Sequence, residues 1–591
     1  MVAAPASIAR IVGPLAGRPC WCASFTRLLR IALLSCAALA ADAQADAIPL
    51  RLIAFNDFHG HLEPGSDGLT LLDAAGKSVR VDAGGAPSLA GLIAQLRGQA
   101  ENAVVFSSGD TIGAAPLLST LFRHEPTIEV MNAIGLDFAV VGNHELDGGA
   151  EELRRLVVGG CAPHRPGAPS NSCAAGGYAG AKFPLLAANL QGAGGQPIYA
   201  PTWVKEFAGI KIGFIGVVTR SLRFVVPASR IAGMTITAEA QTLNRYAAEL
   251  KSRGVEAIVA VVHEGGSVKA DWNDPQCLGA EGEIFKIAAQ LSPDIDLVFS
   301  AHSHQGYNCL LDTPQQSGLR VIQAAAYGRG VSVIDVVLDP ATRDIDRRRT
   351  LARNIPVVTV RRGDYAAVPR DQRVAGLVGR YAALAAPIAN RLVGSVVERI
   401  DRSPQDPADF ASGRMIADAQ LMATRAADAG GAQLALTNAT GIRAALACAQ
   451  APPCPISYGQ AFSVQPFGNR LIVMTLSGRQ LRELLEDQQP ASRKEPRFLQ
   501  PSRSLSYAWK RSAAHGERVS ELRLDELPIR PDTNYRVTVN SFLAEGGDGF
   551  RQLRQGSERF TSVLDIDALS AFLRAQPAYA ADRGARIRLL D

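Results

Sequence analysis

The amino-acid sequence predicts an α/β protein with more than one domain, and three observations support this. Short apolar runs typical of buried strands alternate with segments of helical spacing through the first half of the chain, which indicates a layered α/β domain. The length of 591 residues exceeds what one domain usually needs. Beyond residue 396 only one histidine remains, His515, so the second half cannot build a metal site from several imidazoles.

Apolar runs predict strands, and spacing at i, i+3 and i+4 predicts helices. The predicted strands cover residues 48–55, 103–106, 138–141, 210–218, 257–262 and 295–299. The predicted helices cover residues 88–97, 116–122, 127–134 and 238–253. Residues 321–338 add alternating apolar strands, and a longer helix is expected over residues 371–392, where Pro387 is expected to kink it or end it early.

The first 45 residues have the layout of a secretory signal. Two arginines precede the apolar run of residues 31–40, and small residues follow it, so cleavage is expected near Ala43 or Ala45. The run is too short to span a bilayer as a helix, and no later stretch has a transmembrane pattern. The alternative is a lipoprotein signal in which Cys36 carries the lipid, but the small residues already account for the segment. We therefore expect an exported protein, periplasmic or secreted.

The charge balance argues against a nucleic-acid polymer as a partner. The formal net charge is +5, of which the first 45 residues contribute +3, leaving +2 for the rest. The sequence contains no basic stripe of the kind that binds nucleic acid. The sequence does not determine the oligomeric state, and a monomer is compatible with it.

Six cysteines follow the predicted signal, and an even number in an exported protein indicates disulfides. Nearness in sequence favours the pairs Cys161–Cys173, Cys277–Cys309 and Cys448–Cys454. The alternative is a set of free buried thiols, which an oxidising compartment disfavours.

Five predicted strands end in side chains that can bind a metal ion. In open α/β sheets, ligands bind beyond the carboxyl ends of the strands. The set consists of Asp57 and His59, Asp110, Asn143 and His144, His263, and His302 and His304. It holds five of the nine histidines and no thiolate, and such ligands suit Mn, Fe, Co, Ni or Zn without choosing among them. The five strand ends together predict a metal site, whereas Glu145 and Glu264 beside them are expected to be structural.

The sequence resembles the calcineurin-like metallophosphoesterases, and more closely the exported 5′-nucleotidase family, in five blocks: Asp57-x-His59, Gly109-Asp110, Gly142-Asn143-His144-Glu145, His263 and Ala301-His302-Ser303-His304. Ala301 departs from the usual Gly, and His304 stands where several members have Gln or Asn. The resemblance implies a layered α/β/β/α metallophosphoesterase domain, then a smaller α/β substrate-binding domain, joined by a helix. The implied boundaries are a signal over 1–45, domains over 46–355 and 396–591, and a linker helix over 356–395.

The resemblance also implies a site with two divalent ions, of Zn, Mn, Co or Fe. One ion would be held by Asp57, His59, Asp110 and His304, and the other by Asp110, Asn143, His263 and His302, with Asp110 bridging. Two such ions, roughly 3.5–4 Å apart, clamp the attacking and leaving oxygens of an in-line displacement. His144 would stabilise the phosphoryl charge or protonate the leaving oxygen, and Asp147 would orient it. The alternative for Asp147 is a helix N-cap.

Segments of the second half resemble the substrate-binding domain of the same family. By that match Phe467 and Phe542 would sandwich the base, Asp548 would bind the ribose hydroxyls, Arg443 would meet the phosphate, and Asn438 and Gly441 would shape the loop. Read alone, the two phenylalanines are more typical of a core. Two departures concern the phosphate site: Thr440 replaces the first Gly of the family's Asn-x-Gly-Gly-x-Arg loop, and Asp406 stands where an upstream Arg is usual, so Arg402 is expected to serve instead.

The predicted activity is therefore two-metal hydrolysis of a nucleotide phosphate ester, giving nucleoside and phosphate from a nucleoside 5′-monophosphate. Alternatives within hydrolysis are a 2′,3′-cyclic nucleotide phosphodiesterase and a pyrophosphatase acting on UDP-sugars or NAD. A thiosulfohydrolase is a more distant alternative, because its substrate has no base to stack on Phe467 and Phe542. A non-catalytic nucleotide-binding surface protein is the alternative of a different class, and the complete metal set argues against it.

Overall fold

A computed structural model describes residues 47–65, 68–163, 171–402, 408–448, 450–490 and 495–591. The predicted signal over residues 1–45, the lipid position Cys36 and Asp406 lie outside these residues. None of the described helices has the length and apolar character needed to cross a membrane.

The first domain is built on two β-sheets. The first sheet contains, in spatial order, Asp344–Ile345, Gly330–Asp339, Ile48–Phe55, Ala103–Ser107, Phe138–Val140 and Leu185–Leu186, with Leu351–Pro356 paired to Gly330–Asp339. The second sheet contains, in spatial order, Tyr307–Leu311, Leu319–Gln323, Leu297–Ser300, Ala257–His263, Ile210–Val218 and Thr202–Phe207. The central strands of each sheet run parallel. Their carboxyl ends therefore lie together at one edge of each sheet.

An apolar layer joins the two sheets face to face. The rings of Phe106 and Phe138, in the first sheet, stack with their centroids 4.8 Å apart. Phe299 and Phe214, in the second sheet, place their ring centroids 4.9 and 5.6 Å from that of Phe106. All four side chains are buried. Because the rings interlock, they fix the position of one sheet relative to the other.

Helices cover the outer faces of both sheets. Ala86–Gly98 and Glu125–Ile134 lie on the first sheet, and Gln372–Ala389 packs against both of these helices. Glu239–Ser252 and Glu283–Ala288 lie on the second sheet. The layers are therefore α/β/β/α, and the predicted fold class is confirmed.

Most predicted elements of the first half begin and end within two residues of their predicted bounds. The helix predicted for residues 116–122 is shortened at both ends to a single turn, Leu117–Thr120. The turn is not continued because the backbones of Arg123 and His124 are left-handed, with φ of 54° and 64°. The next helix starts at Glu125.

The long helix predicted for residues 371–392 spans Gln372–Ala389. It begins at a capped position, because the Asp371 side chain accepts a hydrogen bond from the backbone N–H of Val374 at 2.9 Å. Pro387 lies inside the last turn, and the helix ends two residues later.

The second domain contains a five-stranded sheet and a four-stranded sheet. The five-stranded sheet has the order Leu499–Pro501, Leu434–Asn438, Asn534–Asn540, Arg470–Ser477 and Ser557–Leu564. The four-stranded sheet has the order Leu527–Pro528, Val519–Leu524, Leu505–Trp509 and Ile587–Leu589. The helices of this domain are Ala411–Thr424, Tyr458–Val464, Gly478–Glu486, Ser541–Ala544 and Asp565–Arg574.

Shorter elements complete the described part of the chain. Four two-stranded ribbons pair Leu69–Leu72 with Ser78–Val81, Leu190–Gln191 with Thr235–Ile236, Gly266–Ser267 with Glu281–Gly282, and Leu392–Val396 with Cys454–Ser457. Two further short helices of the first domain are Ala150–Val158 and Leu222–Val225. The 3-10 turns are His144–Leu146, Ala228–Ile231, Arg347–Arg349, Ala427–Ala429, Ala439–Gly441, Gly547–Gly549 and Arg551–Gln555.

Three disulfides close loops in the described residues: Cys161–Cys173, Cys277–Cys309 and Cys448–Cys454. The predicted pairing is confirmed, and the alternative of free buried thiols is wrong for these six cysteines.

Candidate active site

The loops that follow five strands carry the predicted ligands, and sharp backbone turns bring them together. Five of the seven predicted metal ligands adopt a left-handed backbone, with φ between 48° and 70°: Asp57, His59, Asp110, His302 and His304. Such φ values are uncommon for residues other than glycine, and they persist only where the surrounding structure fixes them. Three of the five strand ends therefore turn sharply and direct their polar side chains toward the shared edge of the two sheets.

Gly142 leaves room for the metal-ligand side chains to approach one another. A side chain on Gly142 would overlap the Asp110 carboxylate, since a Cβ built there meets Asp110 Oδ1 well inside contact distance. The opening of the Gly142-Asn143-His144 block therefore needs a residue without a Cβ.

The first predicted ligand group lies at the end of the first sheet. His59 Nε2 lies 3.1 Å from His304 Nε2, and His304 Nε2 lies 3.5 Å from Asp57 Oδ1. The ligand atoms of Asp57, His59 and His304 all lie within 4.8 Å of one another. These three side chains can therefore hold one metal ion.

The second predicted group adjoins the first through Asp110. Asp110 Oδ2 lies 3.1 Å from His263 Nε2 and 3.7 Å from His59 Nε2, so one carboxylate oxygen stands between the two groups. Asn143 Oδ1 lies 3.2 Å from His263 Nε2. Asp110, His263 and His302 also place their ligand atoms within 4.8 Å of one another.

The hydrogen bonds of two histidines suit metal binding. Nδ1 of His59 lies 2.9 Å from the Gly113 carbonyl oxygen, and Nδ1 of His263 lies 2.9 Å from the Ser108 carbonyl oxygen. Because a carbonyl oxygen can only accept, each Nδ1 carries a proton, which leaves Nε2 as the atom that faces the site. The Nε2 atoms of His59 and His304 face each other at 3.1 Å, and a divalent metal ion bound there can accept the lone pair of His59.

The electrostatics of the site also favour a cation. Burial holds the pKa of His59 and of His304 well below the ordinary value, so both rings are neutral and able to donate a lone pair. Burial also lowers the pKa of His263, but the Asp110 carboxylate outweighs it and raises this pKa to about 10. A divalent cation can replace the proton that Asp110 draws to His263, and this donor set fits divalent metal ions.

His144 and Asp147 form a hydrogen-bonded pair beside the two ligand groups. His144 Nδ1 lies 2.8 Å from Asp147 Oδ2, and the His144 ring centroid lies 5.0 Å from that of His59. The following helix, Ala150–Val158, starts after Gly149 with no side-chain cap. The interpretation of Asp147 as a helix N-cap is therefore wrong, and its carboxylate is free to fix the His144 tautomer.

Glu145 ties the ligand loops together. Its buried carboxylate accepts hydrogen bonds from the backbone N–H groups of Gly142 at 2.7 Å, Asp110 at 2.9 Å and Thr111 at 2.8 Å. Burial, reinforced by the nearby Asp110, raises the pKa of Glu145 to about 7. The expected structural role holds for Glu145, and for Glu264, which accepts a hydrogen bond from Thr219 Oγ1 at 2.6 Å.

A cavity of about 530 Å³ joins this centre to the second domain. On one side it is lined by Asp110, Asn143, His144, Asp147, His302 and His304, and on the other by Asn438, Gly441, Arg443, Phe467, Phe542 and Asp548. The Phe467 ring centroid lies 5.9 Å from that of His144. The structure thus brings together the predicted catalytic pair and all six predicted substrate-binding residues, while Asp57, His59 and His263 lie beneath the cavity wall, fully buried.

Arg443 stands where the two domains meet. Its Cζ lies 5.8 Å from the Phe467 ring centroid, and it lowers the pKa of His304 through its charge, after the larger effect of burial. Its Nε and Nη2 atoms are buried and find no hydrogen-bond partner among the described residues. Such orphaned cationic donors need an anionic partner.

Arg402 does not line this cavity. It lines an adjoining pocket of about 410 Å³ that also contains His304 and Arg443, and its Cζ lies 5.1 Å from the Phe410 ring centroid. The expected replacement of a phosphate-binding Arg by Arg402 therefore stays a prediction.

Two further features of the site have no signal in the sequence. The Tyr327 ring packs against the rings of His59 and His304, with centroids 5.7 and 5.1 Å away. Arg497 enters the cavity beside Asp548, with Nη1 3.5 Å from Asp548 Oδ1. Both come from segments that carry no ligand motif, and only the folded chain brings them to the site.

Comparisons with known proteins match both halves of the chain. The Calcineurin-like phosphoesterase model matches residues 50–306, and the 5'-nucleotidase, C-terminal domain model matches residues 387–555. The chain is 31% identical over 567 residues to Cell wall protein Lmo0130 of Listeria monocytogenes, covering 91% of this chain and 68% of that protein. The chain belongs to the 5′-nucleotidase family of metallophosphoesterases.

Two other similarities agree with this membership. This chain is 31% identical over 558 residues to Endonuclease YhcR of Bacillus subtilis. The match covers 93% of this chain but only 42% of that longer protein. The crystal structure of a 5'-nucleotidase precursor from Thermus thermophilus superposes with a TM-score of 0.73 at 24% identity, covering 92% of this chain and 100% of that chain. The predicted family is confirmed, and the second comparison shows the same fold.

Replacing Glu145 with Ala should weaken metal binding, because three backbone N–H groups in the ligand loops lose their acceptor. We expect metal affinity to fall by about 10-fold to 100-fold, the range for lost supporting groups around metal ligands. Metal content is measured by mass spectrometry after dialysis against chelator-buffered Mn or Zn. Glu151→Ala, an exposed carboxylate on the next helix, is the control and should match the wild type. A Glu145→Ala variant with wild-type metal affinity would contradict the bracing role.

Proposed function

We propose that this protein is a two-metal phosphohydrolase that converts a nucleoside 5′-monophosphate and water to a nucleoside and phosphate. The observation that carries the proposal is the cavity of about 530 Å³ that residues of both domains line. It has the histidines, Asp110 and the His144–Asp147 pair on one side, and two aromatic rings, an arginine and a carboxylate on the other. A phosphate ester and a base can therefore occupy one continuous space.

In this proposal the first metal ion is held by Asp57, His59, Asp110 and His304, and the second by Asp110, Asn143, His263 and His302. When bound, two divalent ions supply Lewis acidity and neutralise charge on the phosphoryl oxygens. Asp110 sets the spacing of both groups, since its Oδ2 atom stands between His59 and His263. We propose that the site holds two ions and that they are Zn, Mn, Co or Fe.

His144 is assigned proton delivery to the leaving 5′ oxygen. Asp147 holds the proton of His144 on Nδ1, which leaves Nε2 as the atom that carries the transferred proton. The His144 backbone N–H donates to Asp110 Oδ1 at 2.8 Å, so the position of the ring is fixed relative to the ligand groups.

Arg443 is assigned to the phosphate, because its buried Nε and Nη2 atoms have no partner among the described residues and a guanidinium matches phosphate oxygens in pairs. Phe467 and Phe542 are assigned to the base, and Asp548 to the sugar. The cavity volume suits a ligand the size of one nucleotide, which favours a mononucleotide over a polymer. The match to the nucleotidase C-terminal domain model supports the same substrate class.

We also propose that the protein is exported and works outside the cytoplasm. The three disulfides support this proposal, because such bonds persist in oxidising compartments.

Replacing His144 with Ala should remove proton delivery without removing a metal ligand. We expect kcat for AMP to fall by about 10²-fold to 10⁴-fold, the range for general acid–base groups, while metal content stays at the wild-type value. Phosphate release and metal content are measured on the same preparation. His515→Ala, an exposed histidine of the second domain, is the control. Unchanged phosphate release from AMP in the His144→Ala variant would exclude the assigned role.

Replacing Phe467 with Ala should weaken nucleotide binding but leave the phosphoryl site intact. Stacking of a base on an aromatic ring contributes about 1–3 kcal/mol, so KM for AMP should rise roughly 5-fold to 100-fold. KM for a small aryl phosphate should change little. Phe560→Ala removes a partly exposed ring of the same domain and serves as the control. Equal losses on AMP and on the aryl phosphate would refute base stacking by Phe467.

A further inference from the structure

The carboxylate assigned to the sugar, Asp548, is fixed in place by its surroundings. The side chain lines the cavity, yet the residue is only 6% exposed. Its backbone is left-handed, with φ of 55°, a conformation that a residue with a Cβ keeps only when its neighbours impose it. The number of hydrogen bonds this carboxylate can still accept therefore depends on those neighbours.

One carboxylate oxygen of Asp548 already has two donors. Thr440 Oγ1 donates to Asp548 Oδ2 at 2.5 Å, and Asn438 Nδ2 donates to the same oxygen at 2.9 Å. Asn438 Nδ2 also donates to Thr440 Oγ1 at 2.7 Å. The Thr440 hydroxyl thus accepts from Asn438 and gives its own proton to Asp548.

The orientation of the Asn438 amide is set by a second asparagine. Asn540 Nδ2 donates to Asn438 Oδ1 at 2.8 Å, and Asn540 Oδ1 accepts from the backbone N–H of Leu543 at 2.9 Å. A backbone N–H can only donate, so flipping the Asn540 side-chain amide would break the hydrogen bond from Leu543. Asn438 is therefore held with its NH₂ group toward Asp548.

The other carboxylate oxygen is partly used as well. Arg497 Nη1 lies 3.5 Å from Asp548 Oδ1. A carboxylate offers about four acceptor positions, two on each oxygen. Thr440 and Asn438 take those on Oδ2 and Arg497 takes one on Oδ1, which leaves one acceptor for a ligand.

We propose that the sugar subsite reads a single ribose hydroxyl, and that Thr440 sets this limit by occupying an acceptor on Asp548. The inference rests on the proposed function, which places the sugar at Asp548. Thr440 stands where the resembling family loop has Gly, and Gly has no hydroxyl to donate. Thr440 is therefore a positioning residue that determines how this chain discriminates between sugars.

The test compares the binding of adenine, adenosine, 2′-deoxyadenosine and 3′-deoxyadenosine by isothermal titration calorimetry. In the wild type, one deoxy analogue should bind about 10-fold or more weakly than adenosine, the range for a hydrogen bond to a charged group, and the other should match adenosine within about 2-fold. In Thr440→Gly, Oδ2 regains an acceptor and the space beside it opens, so both analogues should bind at least about 5-fold more weakly than adenosine.

Two further variants separate this effect from a structural one. Thr440→Ser keeps the hydroxyl and should keep the wild-type pattern. Thr437→Val removes a buried hydroxyl three residues upstream that has no partner among the described residues, and it should also keep the wild-type pattern. Equal losses with both analogues in the wild type would overturn the proposal. So would a wild-type pattern in Thr440→Gly, or adenosine binding no more tightly than adenine.

Failure of the proposed function would be seen separately. Nucleosides carry no phosphate, so their binding pattern does not depend on turnover. If AMP releases no phosphate while the single-hydroxyl pattern holds, the hydrolase proposal fails and the sugar inference stands.

Discussion

The position of the Asp110 carboxylate is the constraint on which the site depends. Its Oδ2 atom stands between His59 and His263, and its Oδ1 atom accepts the backbone N–H of His144. One side chain thus sets the spacing of both ligand groups and the position of the residue assigned to proton delivery. The left-handed backbone at Asp110 costs on the order of 1–3 kcal/mol, and Glu145 holds it by accepting its N–H.

The fold supplies the rigidity that this arrangement needs. The interlocked phenylalanines between the sheets fix one sheet edge against the other, so ligands from strands far apart in sequence meet within hydrogen-bonding distance. The second domain then completes the site from the opposite side, where Phe467 lies beside His144 and Arg443 lies against Phe467. The proposed function assigns the chemistry to the first domain and substrate selection to the second.

Much of the first domain could be predicted from sequence, because each ligand directly follows an apolar strand. Asp57, Asp110 and His263 need only the rule that parallel strands present their carboxyl ends at one edge. The early end of the helix at Thr120 could not be predicted, because left-handed residues that end a helix leave no mark on apolar spacing. The bond from Thr440 to Asp548 joins residues about a hundred positions apart, and the sequence showed only that Thr440 departs from the family loop.

In the proposed function, divalent ions and a bound nucleotide meet in the cavity that both domains line. The most direct measurement is product release after metal stripping and single-metal add-back, read as free phosphate and as nucleoside and nucleotide products, with AMP, cyclic AMP, ADP, UDP-glucose, NAD and single-stranded DNA as separate substrates. We expect no release from the stripped protein and restored release with AMP as the preferred substrate once the metal is returned. Release from the stripped protein, or metal-loaded protein that leaves AMP intact, would contradict the proposed function.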